Sequence, residues 1–196
     1  MLEKLTELLE EKKYGVIKKI SNQYILWFSL GTLLVCLLGK EIVLIMGGQQ
    51  YLEAAPIVPI IMLGCYYNFL NVFYVTIEFF EKKTYMISIV TIAATILNVV
   101  LNYVCLRRFG YMAAAYTTAF CNFLIVLLHY LFTIKMNNKE ICDSRLIMSF
   151  MGGGVFMCVL CIISYDHLIM RIVLGLITLA SGLLLLKKSA KAISAL

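Results

Sequence analysis

Charge is scarce in this sequence. Asp, Glu, Lys and Arg make up 14% of its 196 residues, about half the share usual in a soluble domain. Apolar residues make up 62% and the mean hydropathy is +0.93. That is more hydrocarbon than a soluble fold can hide, so lipid has to be the solvent for most of this surface. Proline is equally rare: Pro56 and Pro59 are the two in the chain. Both sit at the mouth of an apolar run, where a missing N–H is tolerated. Two-residue alternation is missing from the apolar runs, which argues against membrane strands. The first twenty residues are charged and lack the short apolar core of a signal peptide.

The net charge is +6, which in another setting would suggest nucleic acid. Here the charges fall in short clusters between long apolar runs, the pattern of membrane-protein loops, so no nucleic-acid partner is expected. Seven cysteines are present. Cys36, Cys65, Cys105, Cys121, Cys158 and Cys161 lie inside apolar segments, and Cys142 lies in a short basic loop. They read as small apolar residues, not as a disulfide framework.

A helix needs about 20 mainly apolar residues to cross the hydrocarbon. Six runs qualify, at 22–46, 57–80, 85–106, 111–134, 146–165 and 168–186. Each has to be helical, because inside a bilayer every backbone polar group must be satisfied within its own segment. The expected fold is therefore an all-α polytopic membrane protein. Its transmembrane domain covers 22–186, preceded by a lead-in over 1–21 and followed by a tail over 187–196.

The segments 1–20, 81–84, 135–145 and the tail hold every Lys and Arg except Lys40, Arg107, Arg108 and Arg171. Cytoplasmic loops retain such residues, so both termini are expected inside. Leu2, Leu5, Leu8 and Leu9 recur at helical spacing among Glu and Lys. That pattern suits a membrane-surface helix or a solvated helix leading into the first span.

The stretch 51–122 resembles oligosaccharide flippases of the polysaccharide biosynthesis family. The similarity rests on Tyr51-Leu52-Glu53-Ala54-Ala55-Pro56-Ile57-Val58-Pro59 at the start of a helix and on the turn Glu81-Lys82-Lys83-Thr84. It extends through the paired asparagines of Asn98-Val99-Val100-Leu101-Asn102 to Leu106-Arg107-Arg108-Phe109-Gly110-Tyr111-Met112-Ala113-Ala114-Ala115. The chain departs from the family pattern at Arg107, where Pro is usual, and at Ala113, where Gly is usual. These departures imply a hairpin bent less sharply, with its helices packed less closely.

What the resemblance implies is part of a two-lobe flippase architecture, matching the family's last six spans. The missing lobe would come from the rest of a longer chain or from another subunit. Such a protein moves polyprenyl-pyrophosphate-linked oligosaccharide across the bacterial plasma membrane. A sugar–pyrophosphate head cannot enter hydrocarbon without replacement for its lost water, and a polar cavity between two helix bundles provides it. Membrane lipid and the lipid-linked sugar are the implied partners; no cofactor and no metal is implied.

The residues suited to such a cavity are few. Asn98 and Asn102, four apart, share a helix face; they could meet sugar hydroxyls or glue two helices together. Asn68, Asn71 and Asn122 carry the same two readings. His129 suits proton coupling, pyrophosphate binding or a hydrogen bond to another helix. Glu78 is a cavity candidate too, or snorkels and pairs with Lys82 four residues on. Arg107 and Arg108 run against the charge bias and suit phosphate oxygens or lipid headgroups.

Lys40 and Glu41 read as interfacial. Cys158-x-x-Cys161 has the spacing of half a zinc site but lies in an apolar span, so packing is expected. Gly152-Gly153-Gly154 suits close helix packing or a flexible point. The leading expectation is transport without covalent chemistry, not an enzyme, since Asp166 and His167 are the only acid–histidine neighbours and the outer connections are short. The alternatives are a multidrug or cation antiporter, which needs a carboxylate deep in the membrane, and a non-transporting assembly subunit.

Overall fold

A computed structural model describes residues 7, 11, 13–135 and 144–193, without side chains for 144–146 and 186–193. The expectations about Leu2–Leu9, Cys142 and most of the 135–145 loop lie outside these residues, as do the lysine side chains of the tail. The chain is an all-α polytopic membrane protein, with six helices long and apolar enough to cross a bilayer among the described residues.

In order, the helices are α1 (Tyr14–Leu37), α2 (Gly39–Gly47), a 3₁₀ helix (Gln49–Ile57), α3 (Val58–Phe80) and α4 (Thr84–Phe109), then α5 (Ala113–Lys135), α6 (Ser144–Ser164) and α7 (Leu168–Ile193). Pro59 occupies the first turn of α3 and Pro56 lies in the 3₁₀ segment. Both are places where a lost N–H leaves no gap in an α-helical ladder.

The first span differs from the expected 22–46. Its helix begins eight residues earlier, at Tyr14, and stops at Leu37. The apolar run continues, but a turn at Leu38 redirects it into the short α2. The break falls just before Gly39-Lys40-Glu41, which hold the only charges in the expected run. Packing fixes its geometry: a Cβ on Gly39 would stand 2.9 Å from the Val58 side chain, so only glycine lets α2 approach the start of α3 this closely.

Helix α3 is the hub of the bundle. It packs most extensively on α5 and also touches α1 and α6. Its buried Tyr66, Tyr67, Leu70, Phe73, Tyr74 and Ile77 form one core with Ile17 and Ile25 of α1, Val126 of α5, and Ile147 and Met151 of α6. Hydrogen bonds stitch the same interfaces. Ser29 of α1 bonds Tyr66 at 3.0 Å, and Tyr67 donates to the Met151 carbonyl at 3.4 Å. Buried hydroxyls need such partners, above all in lipid.

Glycine allows two further close approaches. Gly64 of α3 faces the Ala119 backbone of α5, and a Cβ on Gly154 of α6 would stand 2.9 Å from the Tyr66 ring. Of the three consecutive glycines, Gly152 and Gly153 meet nothing, so the packing role belongs to Gly154 alone.

By contrast, α4 leans mainly on α5. Only Val90 and Ala94 of α4 are buried, and Ile89, Ile92, Ile96, Val99 and Val100 are exposed. The α4–α5 hairpin closes through residues 110–112, with Gly110 at φ +74°, a left-handed conformation that glycine adopts without steric cost. Ala113 is buried just after it.

Candidate functional site

Polar groups gather at three places on this scaffold. The first is the interface between α3 and α5 at its Lys82–Lys83 end. Glu78 lies in the last turn of α3, and the chain leaves that helix through a tight cap. Lys83 N–H donates to the Glu78 carbonyl at 2.9 Å and Lys82 N–H to that of Phe79 at 3.0 Å, with Lys82 at φ +57°. This crossed pair of bonds is a Schellman motif, and Lys82 holds the left-handed position usually given to glycine.

The cap turns Lys82 away from the helix face that Glu78 occupies. The expected Glu78–Lys82 pairing is therefore corrected: Glu78 neither snorkels nor meets Lys82. Its Oε1 lies 2.7 Å from Nδ1 of His129 on α5, and both side chains are 0% exposed. Oε2 of Glu78 and Nε2 of His129 are buried without a hydrogen-bond partner. The two residues were separate candidates in the sequence, 51 positions apart; only helix packing makes them one unit.

A second polar group lies along the α4–α5 seam. Asn102 Nδ2 donates to Asn98 Oδ1 at 2.9 Å, and Asn98 Nδ2 reaches Thr118 of α5 at 3.5 Å. The Thr117 hydroxyl donates to Asn102 Oδ1. Thr117 and Thr118 are the residues that sequence reasoning missed here, and Thr117 also lines a groove of about 340 Å³ with Cys105, Phe109, Met112, Ala113 and Tyr116. The signal for both was present: a hydroxyl at the level of an asparagine on the adjoining helix of a tight hairpin. Arg107 and Arg108 lie in the last turn of α4 at the same end. Both are exposed, and the Arg107 guanidinium stacks 4.1 Å from the Tyr103 ring centroid.

The remaining asparagines do not join this seam. Asn122 Nδ2 donates to the Gly64 carbonyl at 3.1 Å and so ties α5 to α3. Asn68 is exposed on α3, while Asn71 has a buried Oδ1 without a partner.

A third cluster joins α7 to the break after α1. Arg171, 9% exposed, grips Glu41 of α2 with two parallel bonds of 3.0 and 2.6 Å and donates to the Leu37 carbonyl at 3.2 Å. Lys40 sits 5.3 Å above the Tyr165 ring. Glu41 is thus more than interfacial. It lies past the end of the spanning helix α1; burial pushes its carboxyl up, but the bonds and charge of Arg171 outweigh this and hold it below the usual carboxylate range. An arginine four residues into an apolar run must find an anion, and that was the available clue.

Among the described residues no group of three or more His, Cys, Asp or Glu side chains could hold a metal ion. Cys158 packs with Ile60 and Ala119, and Cys161 with Cys36 and Leu37. No protein-family model, curated protein or solved structure matches the chain.

Proposed function

We propose that the chain is the C-terminal part of a transporter that flips lipid-linked oligosaccharide across the bacterial plasma membrane, with both termini cytoplasmic. The observation that carries this reading is the α4–α5 seam. Four hydrogen-bonding side chains, Asn98, Asn102, Thr117 and Thr118, run along a half-exposed interface, and Thr117 also borders a mainly apolar groove edged by Phe109 and Tyr116. Two arginines stand at that same end. Amides and hydroxyls replace the water around sugar hydroxyls, and a planar guanidinium suits phosphate oxygens. The broad exposed face of α4 is consistent with a helix that needs lipid or a second lobe against it.

The rival role for the same asparagines is helix glue, worth about 1 kcal/mol or less per bond. Cells carrying Asn98→Ala, Asn102→Ala or Arg108→Ala separate the two. The transport reading expects loss of surface polysaccharide at unchanged protein abundance. Full surface polysaccharide in all three variants removes the seam from the transport path. An antiporter of small cations or drugs is the second reading; Glu78, in the last turn of α3, is buried but not at the middle of a span, and drug accumulation in the same variants tests it.

A further inference from the structure

Among the described residues the Glu78–His129 pair has no third charged group to balance it. No lysine or arginine among them comes within ion-pairing distance of Glu78; its one such contact is His129. With one proton between them the two groups are neutral overall, as carboxylate and imidazolium or as acid and imidazole. Without that proton the site holds a net negative charge, sealed from water at 0% exposure beside Ile77 and Val126. An unpaired buried charge is among the most unfavourable arrangements a protein interior can hold, and in lipid no solvent is at hand to relieve it.

The relief available is structural: the two helices part and water reaches the carboxylate. We propose that Glu78 and His129 form a one-proton site, and that losing the proton opens the α3–α5 interface at the Lys82–Lys83 end. The unpartnered Oε2 and Nε2 atoms are where water would first bind as the interface loosens.

The position suits this role. Glu78 sits in the last turn of α3, so opening there leaves the central core of Tyr66, Tyr67 and Leu70 intact. Other ionisable groups described at this end are Lys13, Tyr14, Lys18 and Lys19 at the start of α1, Tyr74 of α3, Tyr130 and Lys135 of α5, Glu81, Lys82 and Lys83 of the turn, and Tyr85 of α4. The Arg145 side chain of α6 lies outside the described residues. Any of these can contribute to a bulk pH response, so the test has to read His129 itself. The inference does not depend on the cargo being a lipid-linked sugar.

The chain has two histidines, which makes that direct. Ring-nitrogen NMR of ¹⁵N-histidine-labelled wild-type protein in lipid nanodiscs gives one pair of signals, Nδ1 and Nε2, from each of the two rings, and His167→Gln identifies the exposed pair. Amide hydrogen exchange of α3 and α5 is followed over the same pH series and corrected for intrinsic exchange. The expected result is that the His129 signals report proton loss over the same interval in which amides near Glu78 and His129 exchange faster by about tenfold or more. In the double variant Glu78→Gln/His129→Gln the acceleration disappears. Exchange that stays constant while His129 titrates, or that accelerates equally in the double variant, overturns the proposal. Should the double variant fail to fold, the coincidence of the two wild-type curves decides alone.

Discussion

Two acid–base pairs hold this bundle together near opposite ends, and they are built differently. Arg171 and Glu41 meet through a two-bonded fork; a backbone carbonyl takes up a further donor, and Glu41 remains 41% exposed. Glu78 and His129 meet through a single bond, with both side chains fully buried and an outer atom of each unpartnered. In the first pair charge is neutralised by geometry and partly by contact with the surroundings. In the second, everything depends on one shared proton. Similar chemistry gives a clasp in one place and a poised site in the other because burial removes every other means of balancing charge.

Removing one partner of the buried pair should have the largest effect. His129→Ala or Glu78→Ala leaves an unmatched buried group and is expected to cost about 3–5 kcal/mol, measured by denaturant unfolding in detergent. Replacing both with apolar residues, Glu78→Met with His129→Leu, should recover most of that loss. Additive losses in the double variant would show that the two residues are not coupled.

The clasp should respond more weakly. Arg171→Lys cannot keep the fork, and with Glu41 partly exposed the expected cost is about 1 kcal/mol, decreasing as salt is raised. Because the Glu41 carboxyl is held below its ordinary range, its contribution is complete above the unfolded carboxylate's titration and is lost as pH falls through the lowered folded value. Acid unfolding of wild type against Glu41→Gln checks the sign: the wild-type advantage should vanish at low pH and persist at neutral pH.

The smallest effect belongs to the turn after Glu78. Lys82 sits at φ +57°, where a side chain carries a steric cost that glycine avoids. Lys82→Gly should stabilise the fold by about 0.5 kcal/mol after glycine's larger loss of chain entropy is included. A destabilised Lys82→Gly protein would mean that the lysine side chain contributes something the cap geometry does not show.

Much of the scaffold could be read before folding. The helices of the second to fifth apolar runs start and end within three residues of the expected segments, and that of the sixth runs seven residues further, to Ile193, because length and apolar content leave a backbone in lipid no other satisfied conformation. The first run misled because its apolar residues resume after Gly39-Lys40-Glu41, and only Gly39 meeting Val58 and Arg171 reaching the Leu37 carbonyl show that the helix ends there. Sites followed the same division. Asn98 and Asn102 share a helix face by spacing alone, and they do bond each other. Glu78 was matched with Lys82 because helical spacing extends only while the helix does; the left-handed turn ends it first.

The sequence by itself determined that this is a membrane protein, how many helices can cross, and which few polar residues sit among the apolar ones. Those properties follow from composition and reach, which need no partner to be defined. Only the tertiary structure decided that Glu78 belongs to His129, Arg171 to Glu41 and Asn102 to Thr117. A buried polar group takes whichever partner packing brings within hydrogen-bond distance, and here those partners lie 51, 130 and 15 residues away along the chain.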